Sequence, residues 1–406
     1  MSEIATKFDS WLEDGSDIAA LVMRQWLLPI EGKEGVIFPP TYAKPERMRD
    51  EDWTGYNIDR FEDGTNVCQI DSVGSQANRM EPIFKRKKYR HLVPQIVIVA
   101  RENGQTREVH LLDAGHRAAD AIVRFSTIGP QLFEAFLAFQ RTGNAERLAR
   151  IAPTSLVFGS WDSRATQAKL PRIVRSVIRA FNVQAMHRSA QYSTIAGEIL
   201  EGSDAEVTVK GPKAELGLAH VPAVMTHGGV WIKNGSEIRR DAVLSLVPLR
   251  ALCAESGQGE DTLVLRRYIL GVALVAFSAP PETCLREGCQ VVPDKSRPAE
   301  LSLVNHDGGR DEWVLTDRDA LAFADEAAKA FHVQQPSQSA EWDGELARTV
   351  LGLNEQQRKE LLRGGPVTRA RLEQVSSQQS TRGRGTTGRN AARAEGQGAV
   401  AEPDTR

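Results

Sequence analysis

Two β-rich runs, Pro94 to Ala100 and Glu108 to Leu112, are joined through Asn103-Gly104, a dipeptide that tolerates the positive φ of a tight hairpin turn. Antiparallel pairing is thereby set at one place in the chain, and what surrounds it has to be compatible. Upstream, Glu3 to Leu12 has helical spacing, Ile18 to Ile30 and Val36 to Phe38 read as strands, and Pro39-Pro40 ends the second. Val67 to Ile70 is a short apolar strand, followed by Asp71, Ser72, Gly74 and Ser75 as a turn into a helix from Gln76 onward. Downstream, Gly115 to Phe125 and Pro130 to Arg141 have helical spacing, Thr154 to Trp161 has a β pattern, and a long helix is expected over about Thr166 to Phe181. This order is neither a strict βαβ repeat nor an all-β rhythm, so the expected class is α+β around an antiparallel sheet, with inserted helices.

From Gly197 to Ser236 the chain is rich in Gly, Pro and small residues and reads as an exposed, hairpin-like excursion. Ala242 to Leu252 and Thr262 to Phe277 look buried, and Thr316 with Asp317 caps a helix running through Phe331. The expected organisation is one body over residues 1–335, a peripheral helical segment over 336–375 containing the amphipathic stretch Glu355 to Arg363, and a tail over 376–406. That tail is almost entirely Gly, Arg, Gln, Ser, Thr and Ala, which cannot bury enough apolar area to order itself.

The formal charge of −2 excludes a generally basic nucleic-acid binder, but it hides an asymmetry. Between Glu81 and Tyr192 there are 18 Lys and Arg against 8 Asp and Glu, which marks the middle of the chain as the place for a polyanion. The four cysteines form no secreted-type framework, and Cys284 with Cys289 lacks the second pair that a tetrahedral zinc set needs. A reducing cytoplasm fits, and no metal or cofactor is expected. The mixed-charge N-terminus is unlike a signal peptide, and the longest apolar run, Tyr268 to Pro280, is shorter than the roughly 20 residues that span a bilayer, so no membrane role is expected.

Three constellations carry chemistry. In Asp71 to Arg79, Ser75 and Gln76 supply neutral donors at a helix start and Arg79 a positive charge one turn on, a pattern that fits either a phosphate cradle or an ordinary helix cap. In the segment after Ala165, Gln167 and Lys169 precede Arg172, Arg175 and Arg179, whose spacing would set three guanidinium groups on one helical face; from Pro153 to Tyr192 the only acid is Asp162. Asp113 to Arg117 places His116 and Arg117 at a turn that can offer a base, a proton shuttle or phosphate donors, or merely a cap. Lys85 to Arg90 is the densest basic run. No Walker, zincin or nucleophile-elbow motif is present, and the single G-x-G-x-x-G, Gly383 to Gly388, lies in the tail without its strand and helix.

The strings CQIDSVGSQANRMEP (Cys68 to Pro82), LLDAGHRAADA (Leu111 to Ala121), IAPTSLVFGSWDSRATQAKLPRIVRSVIRAF (Ile151 to Phe181) and RSAQY (Arg188 to Tyr192) together resemble one family. It is the RAMP-superfamily (Csb family) backbone subunit of the type I-U, now I-G, CRISPR surveillance complex, or Cascade, and the resemblance covers roughly Phe38 to Phe331. It implies an RRM-like (ferredoxin-like) palm with inserted helices and a thumb, for which 197–236 is the candidate by position. It also implies that many copies coat one CRISPR guide RNA and present it to target DNA alongside other Cascade subunits. Ser75, Gln76 and Arg79 match the family's phosphate-holding segment. The full set of candidate RNA contacts is Ser75, Gln76, Asn78, Arg79, His116, Arg117, Gln167, Lys169, Arg172, Arg175, Arg179, Arg188 and Tyr192. An aromatic share of 6% suits a protein that grips backbone without reading bases. The glycine-rich C-terminal loop of the processing nucleases is missing, so no catalysis is expected. The rival is a metal-independent endoribonuclease that processes precursor guide RNA with His116 and Lys169 or Tyr192.

Overall fold

The structure, a computed structural model, describes residues 3–49, 53–202, 206–257, 259–333 and 338–377; beyond 377 the expected tail lies outside the described residues. In chain order the strands are β1 (Ile18–Pro29), β2 (Val36–Ile37), β3 (Ile58–Arg60), β4 (Asn66–Asp71), β5 (Ile96–Glu102), β6 (Gln105–His110), β7 (Ser160–Trp161), β8 (Lys169–Leu170), β9 (Val174–Phe181), β10 (Gln184–Tyr192), β11 (Val221–Trp231), β12 (Glu237–Ser245), β13 (Cys284–Arg286), β14 (Cys289–Pro293), β15 (Glu300–Asn305), β16 (Arg310–Glu312) and β17 (Gln338–Glu341).

The main sheet runs β13-β14-β1-β12-β9-β4-β3, with every pairing antiparallel. β1 is long enough to carry two neighbours on one edge, β15 against its first half and β14 against its end, and β16 follows β15. The class is therefore mixed α+β built on an antiparallel sheet. Along β12 burial alternates residue by residue, turning Ile238, Arg240, Ala242 and Leu244 inward. Register sets Leu21 and Val174 on either side of Leu244, and Met23 and Ser176 on either side of Ala242.

That inner face is covered by the helix Glu260–Ser278, which is buried without interruption from Leu265 to Phe277. A helix apolar on all sides belongs in the middle of a fold. On its far side lies the helix Asp317–Ala330, with Thr316 as N-cap as the sequence indicates. The two approach so closely at Gly271 that a Cβ there would lie 2.9 Å from Ala324 Cα. Arg267 clamps both carboxylate oxygens of Asp9 (2.8 and 2.7 Å), and Arg266 reaches the Leu12 carbonyl and Asp14, so the chain start is held to this helix by charge-assisted bonds.

The expected hairpin is present as β5 and β6, with Asn103 at φ 51 and Gly104 at φ 75. The chain continues past Val333 into β17, which pairs in parallel with β5 over Gln338–Glu341. Beyond it Leu346, Val350, Leu361, Val367 and Val375 bury one another. β10 and β11 form a ribbon, closed at its base by β2, that leaves the main sheet after β9 and returns to it as β12. The first strand of this ribbon begins at Gln184 and the second ends at Trp231.

Two readings of local structure are corrected. The segment 166–181 is a turn, β8 and β9 rather than a helix, because Pro171 and the β-branched Ile173, Val174, Val177 and Ile178 favour extended backbone. Thr154 to Trp161 is the helix Pro153–Phe158 followed by β7; all six helical residues are buried, so no polar stripe betrays the helix. Among the described residues no helix is long and apolar enough to cross a membrane.

Gly271→Leu is expected to lower unfolding stability by about 1–3 kcal/mol or more by prising the two helices apart, seen as a lower urea midpoint; an unchanged midpoint would show that this contact is not close in solution.

Candidate nucleic-acid interface

Asp71 ends β4 with no exposed surface, directly before the N-cap Ser72 of the helix Val73–Met80. A buried carboxylate must be saturated with donors. Here it accepts from Ser75 Oγ (2.7 Å), Gln76 Nε2 (2.7 Å) and Arg79 Nε (3.1 Å), and Arg286 stands 3.7 Å away. Gln76 Oε1 in turn accepts from Ser176 Oγ (2.9 Å), to which Arg240 Nε also donates (3.0 Å). Ser75, Gln76 and Arg79 are therefore brought together as the sequence suggests, but around the protein's own carboxylate. Gln76 is buried with both amide ends engaged, and Arg79 Nη2 donates to the Leu285 carbonyl. Outward from Arg79 opens a groove of about 550 Å³ walled by Asn78, Lys85, Arg86 and Glu282.

Arg117 is buried in the left-handed region (φ 54) and works as an internal strut. Its guanidinium donates to Asn78 Oδ1 (3.0 Å) and the Gly159 carbonyl (3.3 Å), faces the Phe158 ring, and sets Nε 2.8 Å from Glu81 Oε2. Burial pushes the Glu81 carboxyl up to about 7 despite the pull of Arg117. The neighbouring His116 is exposed; its backbone carbonyl accepts from Ser160 Oγ (3.3 Å), while its imidazole has no hydrogen bond among the described residues.

The segment after Gly159 holds the open cations. Asp162, its single acid, is buried and fully engaged: it accepts from Thr166 N (2.9 Å), Thr166 Oγ1 (2.8 Å) and Arg124 Nη2 (3.1 Å). These bonds shape the turn from β7 to β8, on which Gln167 sits exposed at φ 63. Lys169 is exposed with Nζ 6.0 Å from the centroid of Trp161, a ring 59% open to solvent. Arg172 follows, its Nε on the Phe158 carbonyl (3.1 Å), then Arg175 on the outer face of β9. Lys169, Arg172 and Arg175 form no ion pair among the described residues, because Asp162 is turned inward.

Since the segment is a strand, the expected three-guanidinium helical face does not exist. Arg175 and Arg179 nonetheless share the outer side, two pleats or about 13 Å apart, while Arg172 precedes the strand. Arg179 lies opposite Arg239 of β12 and 4.0 Å from Asp241, which also holds Arg239 (2.9 Å) and Arg24 (3.5 Å). Arg188 and Tyr192 are exposed on β10, in the separate β10-β11-β2 sheet. Sequence reasoning missed Trp161, Arg24 and Arg239; the period-two alternation of Glu237–Ser245 was the available signal for the last.

Residues 21–185 match the family model described as CRISPR-associated protein GSU0053. The match supports a CRISPR-associated identity. The matched stretch contains Asp71 with its donors, the Arg117 strut and the Lys169–Arg179 run, and stops just short of Arg188 and Tyr192. No curated protein matches the chain.

Because the folded state raises the Glu81 pKa above its ordinary value of 4.5, the native protein holds more protons than the unfolded chain between about pH 4.5 and 7, so stability falls as pH rises through that window. Glu81→Gln is expected to flatten this part of the curve of unfolding midpoint against pH. An identical slope in the variant would contradict a carboxyl so raised.

Proposed function

We propose that the protein is a non-catalytic RNA-binding backbone subunit of a type I-U/I-G Cascade complex, several copies of which line a CRISPR guide RNA and present it to target DNA in antiviral defence. The observation that carries this reading is the uncompensated run Lys169, Arg172 and Arg175 beside the exposed Trp161. Like charges without acids favour a polyanionic partner, and a single aromatic platform gives stacking without a base-specific code. The CRISPR-associated family match over the same residues supports it.

On this reading the antiparallel main sheet is an RRM-related palm and the β10–β11 ribbon the thumb, which carries Arg188 and Tyr192 along the guide to the neighbouring copy. Sequence specificity is left to pairing between guide and target. A near-neutral chain suits such packing, since adjacent copies repel little while each presents one cationic strip. Partners are guide RNA, further copies and other Cascade subunits in the cytoplasm, and no cofactor is required. Endonuclease action is the outcome that would replace this reading: site-specific cleavage of precursor guide RNA in EDTA that disappears in His116→Ala.

Arg172→Ala with Arg175→Ala is expected to weaken binding to all single-stranded RNA sequences alike. Fluorescence-anisotropy titrations across a salt series should show the log–log slope shallower by about 0.7 for each phosphate no longer neutralised. An unchanged slope would remove this strip from the RNA.

A further inference from the structure

Arg240 is the largest fully buried side chain among the described residues, 2% exposed on the inner face of β12. A buried guanidinium normally has a carboxylate beside it, as Arg267 has Asp9 and Arg117 has Glu81. Arg240 has none: its one hydrogen bond among the described residues runs from Nε to the neutral Ser176 Oγ. Asp71 is two links away, beyond Ser176 and Gln76, and already holds Arg79. Burial alone, with no acid to offset it, lowers the Arg240 pKa to about 10, so the group stays charged near neutral pH.

The Arg240 side chain borders a cavity whose other walls include Gln76, Arg79, Arg86, Ala276 and Pro281. Its volume of about 20 Å³ suits a single water-sized atom and excludes a base or a sugar. Arg79, Ile83, Arg86 and Glu282 also wall the open groove outside, so the cavity is that groove's inner end. At the mouth, Glu282 is 3.8 Å from Arg86 and both are well exposed, a contact that solvent makes weak and exchangeable. A water in the cavity would hydrate Arg240 but leave its charge unbalanced.

We infer that this cavity is an oxyanion pocket for a phosphate group, with Arg240 as its floor and Arg79 and Arg86 as its rim. One anionic oxygen enters toward Arg240, and the rest of the phosphate stays at the mouth, where Arg86 exchanges Glu282 for it. The inference deepens the RNA-binding reading by adding an inner phosphate seat on the opposite side of β9 from Arg175 and Arg179. The same chemistry fits a phosphate of a bound strand or free inorganic phosphate, and the test separates the two.

The full chain is titrated with inorganic phosphate, and with chloride at matched ionic strength, while the thermal midpoint is followed. The expected result is a saturable rise in midpoint with phosphate alone, shifted to at least tenfold higher phosphate in Arg86→Glu and absent in Arg240→Met. Arg86 is exposed, so the first variant reports on the pocket even if the second fails to fold. Equal effects of phosphate and chloride, or an unshifted curve in Arg86→Glu, would overturn the pocket. Single-stranded RNA binding by the same proteins then decides the source. Competition between RNA and phosphate, with a shallower RNA salt slope in Arg86→Glu, assigns the seat to the strand. Saturable phosphate binding with RNA affinity unaltered assigns it to the free ion, and phosphate binding without any RNA binding leaves the pocket standing while the RNA reading falls.

Discussion

Period-two alternation along β9 is the constraint on which the rest depends. Held between β4 and β12, this strand must turn Val174, Ser176, Ile178 and Ala180 inward, so Arg175 and Arg179 can only point outward. The inward Ser176 joins Gln76 to Arg240 and so ties the Val73–Met80 helix to the sheet. One strand thereby fixes both the hydrophobic core and the outer cations, and a register slip of one residue would exchange them.

Charge inside the protein is handled in two ways. Asp71, Asp162, Arg117 and Arg267 are each enclosed with matched partners, which desolvation demands. The engagement of Asp162 has an effect at the surface: by turning inward to hold the β7–β8 turn, it leaves Lys169, Arg172 and Arg175 without an acid. Arg240 departs from the pattern, and an ion from outside is the natural completion.

Much of this was legible in the sequence where the signal was local. The Asn103-Gly104 hairpin, the Thr316 cap and the long first strand followed from short-range preferences, as did the charge excess of the middle segment. Where signals were shared between structures, reading failed. Val174, Val177 and Ile178 are spaced like one face of a helix, yet that spacing arises here from a strand buried on its inner side and covered at Val177 on the other. The β-branched composition and Pro171 were the better guides. The gathering of Ser75, Gln76 and Arg79 was visible as a helix start, but that they close on Asp71 depends on Ser176 and Arg286, far along the chain, which no local pattern reveals.

The measurement that bears most directly on the cationic strip is the affinity of the full chain for two single-stranded RNAs of equal, guide-like length and unrelated sequence, each followed across a salt series. Equal dissociation constants at every salt concentration, with a common steep slope, are expected of side chains that hold sugar-phosphate alone. A strong preference for one sequence, or affinity that ignores salt, would contradict that role for Lys169, Arg172 and Arg175.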